Sequence, residues 1–132
     1  MLLKFRRLWK NNRAVAAVEM AFVLPLFLLF VLGIIEFGRA YWIMDSMQLS
    51  IDEAGRYAML NTTASDTQIV AKAKANLYGL NPNDFTVTST SQVISGITYK
   101  NIVATYSFHF AVPNLLPFGD LTFTRRTTVP LL

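Results

Sequence analysis

Glu19 is the one charged residue in an otherwise apolar stretch from Val15 to Ile35. A carboxylate in hydrocarbon is costly unless a partner meets it, so the chemistry open to Glu19 is ion pairing. One partner would lie in its own chain, Arg13 or a tail lysine, with the side chain reaching back to the headgroups. The other would come from a neighbouring subunit, as a cation or a freed N-terminal amine. Glu36 and Arg39, three residues apart just past the stretch, read as a solvated pair. His109 is the only histidine, and there is no cysteine. No two carboxylates have ligand-like spacing, so a metal site has little to build on. His109 therefore reads as a surface or interface residue. Serines occur without a nucleophile-elbow pattern, and no glycine-rich phosphate loop is present. The chain is expected to be no enzyme and to take no cofactor, metal or small-molecule substrate. Asn61-Thr62-Thr63 matches a glycosylation acceptor, a tripeptide common by chance, and is given no role.

The charge is placed unevenly along the 132 residues. Lys4, Arg6, Arg7, Lys10 and Arg13 precede the apolar stretch with no acid among them, while the rest of the chain holds seven Lys/Arg against eight Asp/Glu. The pI of about 9.6 thus describes a tail. Nucleic-acid binding would need a positive face on a folded domain, and is not expected. A basic tail abutting an apolar run is instead a topology signal that keeps the N-terminus cytoplasmic. The absence of cysteine does not fix the compartment.

The 21 residues from Val15 to Ile35 would rise about 31 Å as a helix, close to the hydrocarbon thickness of a bilayer. A cleaved signal peptide is the rival, but its apolar run is usually shorter, and no small-x-small site closes this one. Pro25 removes one backbone donor mid-run, so a kink is expected there. Tyr41 and Trp42 follow where amphipathic rings favour the headgroup layer. The helix should continue to Leu60, about 70 Å in all. Phe37, Tyr41, Met44, Gln48, Ile51, Gly55 and Ala58 recur at steps of four and three, forming one stripe to seat the outer domain.

Asn61-Thr62-Thr63 breaks that helix. A second helix is expected from Ser65 or Asp66 as N-cap to Gly79, followed by a turn at Asn81-Pro82-Asn83-Asp84. Strands are expected at Phe85–Thr90 and at Gln92–Tyr99, the latter interrupted by Gly96. Ile102–Val112 alternates strictly, with Ile102, Ala104, Tyr106, Phe108, Phe110 and Val112 on one face, as in a half-buried antiparallel strand. Pro113 should end it, and a loop through Pro117-Phe118-Gly119-Asp120 leads to a last strand, Leu121–Val129. The fold class is α+β, with a helix on three or four antiparallel strands. The expected division is a basic cytoplasmic tail at 1–14, a transmembrane helix at 15–36 and an extracytoplasmic α+β domain at 37–132.

Three blocks resemble a known family. Arg13-Ala-Val-Ala-Ala-Val-Glu19-Met-Ala-Phe-Val-Leu-Pro25 resembles the opening of the TadE-like proteins, pseudopilin-like components of tight-adherence (Flp-type) pilus systems. Gly33-Ile-Ile-Glu36-Phe-Gly38-Arg39 resembles the outer end of their span, and Asp52-Glu-Ala-Gly-Arg56-Tyr57-Ala58 the segment after it. The C-terminal part is similar only loosely. The resemblance implies a pilin-like fold and a subunit that assembles or anchors an adhesive pilus at the inner membrane. Its partners would be the membrane, other pilus or pseudopilin subunits and the assembly machinery. It also implies handling by a prepilin peptidase. The family usually has glycine before the cut. Here Ala14 stands in that place, and a cut between Ala14 and Val15 would make Glu19 fifth in the mature chain.

On this reading Glu19, Phe37, Tyr41, Met44 and Ile51 are the subunit-packing residues, and Lys4, Arg6, Arg7, Lys10 and Arg13 set topology. The rival from another class is a monomeric membrane-tethered module whose outer domain captures a ligand.

Overall fold

The computed structural model describes residues 12–112 and 119–132. Helix α1 runs Asn12–Leu60 and passes Pro25 without a break, and α2 runs Asp66–Ala75. Strands β1 (Phe85–Ile94), β2 (Ile97–Phe108) and β3 (Leu121–Leu131) form one antiparallel sheet in the order β1-β2-β3. The fold is α+β, with three strands. The chain divides into two compact units, Met1–Gly38 and Arg39–Leu132.

In the first unit the helix is apolar on every side. Leu26, Phe27, Leu28 and Leu29, consecutive positions about 100° apart around the axis, are all exposed. Such a surface suits a solvent of hydrocarbon rather than water. By length and composition this helix can cross a membrane.

The second unit is a two-layer domain. Its core joins Ile43, Met47, Ile51, Ala54 and Ala58 of α1, Ile69 and Ala73 of α2, and one face of the sheet. On that face lie Phe85 and Val87 of β1, Ile102, Ala104, Tyr106 and Phe108 of β2, and Val129 of β3. The register aligns them in rows, Phe85 beside Tyr106 beside Phe123 and Val87 beside Ala104 beside Arg125. The opposite face, with Thr86, Thr88, Thr124, Arg126 and Thr128, is exposed, as antiparallel sheets allow.

The burial stripe on α1 differs from the expected one. Phe37 and Tyr41 are 79% and 72% exposed, Met44 is half-buried, and Ile51, Gly55 and Ala58 are buried. The side facing the core is Ile43, Met47, Ser50, Ile51, Ala54 and Ala58, turned by less than one residue step from the expected stripe. Small residues decide this: Ala54 and Gly55 let the sheet approach, and a Cβ on Gly55 would meet Val129 at 3.0 Å. Glu36 is also buried rather than solvated.

Helix α2 is capped by Ser65, whose hydroxyl accepts from the Gln68 N–H while the Gln68 side chain accepts from the Ser65 N–H. It stops at Ala75, a turn earlier than expected, with Asn76 as C-cap. Gly79 is not the helix cap. It adopts φ +70° where the backbone passes the Trp42 ring, and a Cβ there would lie 2.5 Å from Trp42. The Ser50 hydroxyl donates to the Ala73 carbonyl at 2.6 Å, fixing α2 on α1 with a bond away from solvent.

The sequence-expected strands from Phe85 to Thr90 and from Gln92 to Tyr99 resolve differently. Gly96 does not interrupt a strand; with Ser95 it makes the two-residue turn between β1 and β2, closed by the Ile94–Ile97 pair. Both turn residues have positive φ, 51° and 82°, the mark of a type I′ hairpin. Strand β2 ends at Phe108 rather than Val112 because its neighbours run out: Phe108 faces Leu121, the first residue of β3. Pro113 and, of the expected loop, Pro117 and Phe118 lie outside the described residues, while Gly119 and Asp120 lead into β3 without regular structure, as expected.

Candidate functional site: the exposed face of the first helix

Lys4, Arg6, Arg7 and Lys10 lie outside the described residues, as does the side chain of Arg13. Ala14 is half-exposed and Val15 exposed, both within α1. Glu19 lies exposed one turn further on, and among the described residues no ion-pair partner stands against it. At 3.6 residues per turn, positions 19, 26, 30, 33 and 37 fall along one side of the helix. Leu26, Leu29, Phe30, Gly33, Ile34 and Phe37 line a shallow apolar groove on that side. Gly33 forms its floor, and nothing lies within 4 Å of where its Cβ would be. The face thus combines one carboxylate towards its N-terminal end with a notch between large side chains towards its C-terminal end. In a bilayer that combination favours another helix: small residues let backbones approach, and a polar group gains most from a partner where water is absent.

Of the other residues singled out in the sequence, Phe37 belongs to this face, and Tyr41 is exposed beyond it. Ile51 does not belong to it, being fully enclosed in the core of the second unit.

The domain's own ionic contacts lie elsewhere. Lys100, buried on the core face, reaches Asp66 at the start of α2 at 2.6 Å, and Ser89 donates to the same carboxylate oxygen. The Lys100 hydrogen bond, then that of Ser89, holds the Asp66 carboxyl below its usual range. The stability this carries is present above a pH of about 4 and is lost as pH falls through the lowered value.

His109 follows the last residue of β2, and its imidazole is held between two acids, Nδ1 to Asp120 at 2.9 Å and Nε2 to Asp84 at 3.5 Å. Its backbone carbonyl accepts from the Arg39 guanidinium, which also stacks over the Phe108 ring. The sequence separates these residues too widely for spacing to reveal the cluster. Among the described residues no group of His, Asp and Glu is arranged to hold a metal ion. The Asp120 hydrogen bond and charge, with a smaller contribution from Asp84, raise the His109 pKa above that of a free imidazole. Because the folded value is the raised one, the clasp is complete below about pH 6.5 and loosens as pH rises through the folded pKa. An NMR titration of the single histidine is expected to give a pKa above the free value, and Asp120→Asn should return it most of the way. A value at or below that of free imidazole in the parent chain would dissolve the clasp.

Comparison with curated proteins and with solved structures gave no match. The family model described as TadE-like protein matches residues 14–56. The matched stretch holds the inferred cut site, Glu19, the grooved face and the part of α1 that enters the domain core. Over those residues of its first helix, the chain is similar to the TadE-like proteins.

Proposed function

We propose that this chain is a pseudopilin-like subunit of a tight-adherence pilus or secretion system, anchored in the inner membrane by α1 with its C-terminal domain periplasmic. The observation that carries the reading is the first helix: TadE-like in sequence over residues 14–56, and exposing a grooved apolar face with Glu19 on it. The helix does two jobs. Its apolar part packs against helices of other pilus subunits or of the assembly machinery, and its later turns serve as the spine of the α+β domain. Residues 1–14 act as a cytoplasmic leader, and a prepilin peptidase cuts between Ala14 and Val15. The freed amine then becomes available to a carboxylate such as Glu19. Five tail cations against a near-neutral outer end support this orientation.

Exchange of the anchor separates this reading from that of a tethered binding module. Residues 12–38 are replaced by an unrelated single-pass helix of equal length, and pilus formation or adhesion is scored in cells lacking the parent gene. The expected result is a protein present at normal level in the membrane that fails to restore pili. Full restoration would mean that the outer domain works on any tether, and the pseudopilin reading would fall.

A further inference from the structure

We infer that the outer edge of β1 is a docking site for one extended, uncharged segment of another polypeptide, which joins the three-stranded sheet as a further strand. The inference stands on the second unit alone and goes beyond the function proposed above.

The register shows which backbone groups of β1 are free. The Ser107 N–H donates to the Asp84 carbonyl at 3.0 Å, and this pair continues the β1–β2 register. Opposed pairs in an antiparallel ladder are hydrogen-bonded alternately, so Thr86, Thr88, Thr90, Gln92 and Ile94 bond to β2. Phe85, Val87, Ser89, Ser91 and Val93 therefore turn their N–H and C=O groups away from it. Among the described residues no backbone hydrogen bond from elsewhere reaches them. A row of this kind is complementary to extended backbone. Native edge strands are ordinarily blunted by charge, proline or a bulge. The ten residues of β1 include no charge and no proline, and their register with β2 is unbroken. Towards the hairpin Val93 and Ile94 are 67% and 49% exposed, apolar surface that an added strand would cover.

The other edge is closed. By the same alternation Arg126 and Pro130 of β3 turn their backbone groups away from β2. Pro130 has no N–H to give there, and Arg125 and Arg126 put two cations on that strand. The sheet accepts a strand on one side and offers none on the other, so copies do not add head to tail. Symmetric pairing of β1 with β1 meets a different obstacle. Helix α2 packs over β1, with Asp66 accepting from Ser89 and Ile69 in the same core as Val87. An antiparallel pair of copies would put both helix layers on one side of the joined sheet. Paired strands lie about 4.8 Å apart, whereas packed helices need about 8–10 Å between axes. The two α2 helices would collide. A bare segment brings no helix, and it meets only neutral neighbours from Thr88 to Gln92.

The probe is a synthetic peptide alternating threonine and valine, with lysines at both ends, added to the full chain in detergent. Amide hydrogen exchange is read residue by residue. Saturable binding is expected, with exchange slowed at least about tenfold at Val87, Ser89, Ser91 and Val93 and unchanged along β3. The same peptide with every threonine and valine N-methylated has no donors and should not bind. Ser91→Pro removes an outward N–H that β2 does not use, as Pro130 does in β3. That variant should keep the parent's near-UV circular dichroism and lose at least about tenfold in peptide affinity. The two peptides on the parent chain decide the matter even if the variant fails to fold. No slowing at those four amides at millimolar peptide overturns the site, as does equal binding of the N-methylated peptide or full affinity in folded Ser91→Pro. Slowing of the same amides without peptide, growing with chain concentration, gives the edge to a second copy and overturns the choice of partner.

Discussion

Cells carrying Glu19→Ala are expected to make the protein at normal level and to lose pili. The carboxylate is exposed on the grooved face of α1, and the described residues offer it no partner within the chain. If a neighbour's amine or cation fills that role in hydrocarbon, truncation removes the attraction and strands the other charge. Breaking a buried charge pair of this kind costs about 2–5 kcal/mol, which is at least about tenfold in subunit affinity at each contact. A filament repeats its contacts, so the loss compounds. Glu19→Gln keeps the shape and one hydrogen bond but not the charge, and should fall between the parent and alanine. An intact mass beginning at Val15 for the mutant, as for the parent, would show that processing continues and that pairing is what failed. Unchanged piliation and an unchanged partner pull-down in Glu19→Ala would remove Glu19 from the mechanism.

Phe108→Ala is expected to unfold the second unit under conditions where the parent is stable. Phe108 is 1% exposed at the end of β2. Its ring meets Phe110 edge-on at 5.1 Å and Phe123 at 5.3 Å, and the Arg39 guanidinium lies 4.4 Å from its centroid. Removal leaves a cavity that the strand ends cannot close and takes away the ring contacts with it. Buried Phe→Ala changes cost about 3–5 kcal/mol, a large part of the 5–15 kcal/mol available to a domain of this size. Urea unfolding of the full chain in detergent, followed by near-UV circular dichroism, should show a much lower midpoint for alanine and a small shift for Phe108→Leu. A loss under about 1 kcal/mol for alanine would mean that the domain does not depend on this cluster.

The two variants act on different parts of one element and should be separable. Glu19→Ala leaves the domain intact and removes assembly, whereas Phe108→Ala leaves the anchor intact and removes the domain. Because α1 runs Asn12–Leu60 as one helix, it belongs to both parts. On the proposed function, the assembly face and the core of the second unit share this one element.

Local signals made several features legible in the sequence. A 21-residue run whose only charge is Glu19 can only be helical in lipid, since no other single segment satisfies its backbone there. Ser65 with Gln68 three residues on is a capping box, and it starts α2 where expected. The alternation from Ile102 to Phe108 names the buried face of β2 residue by residue. In each case neighbours in sequence are neighbours in space, so a short window contains the cause.

Tertiary structure alone decided the rest. Whether α1 buries Phe37 and Tyr41 or Ile43 and Met47 depends on how closely the sheet approaches Gly55, a contact with Val129 from the other end of the chain. Periodicity fixes a stripe's spacing but leaves its rotation to whatever packs on it. Ser95-Gly96 became a turn because Ile94 and Ile97 pair across it, which a window reading Gly96 as an interruption cannot contain. His109 found Asp84 and Asp120 only when three strand ends met, and the backbone at Gly79 lies on the Trp42 ring only because that position has no side chain. Sequence determined the membrane-length helix and the class of the domain. Long-range packing determined which faces that helix gives to its own core and which it leaves exposed.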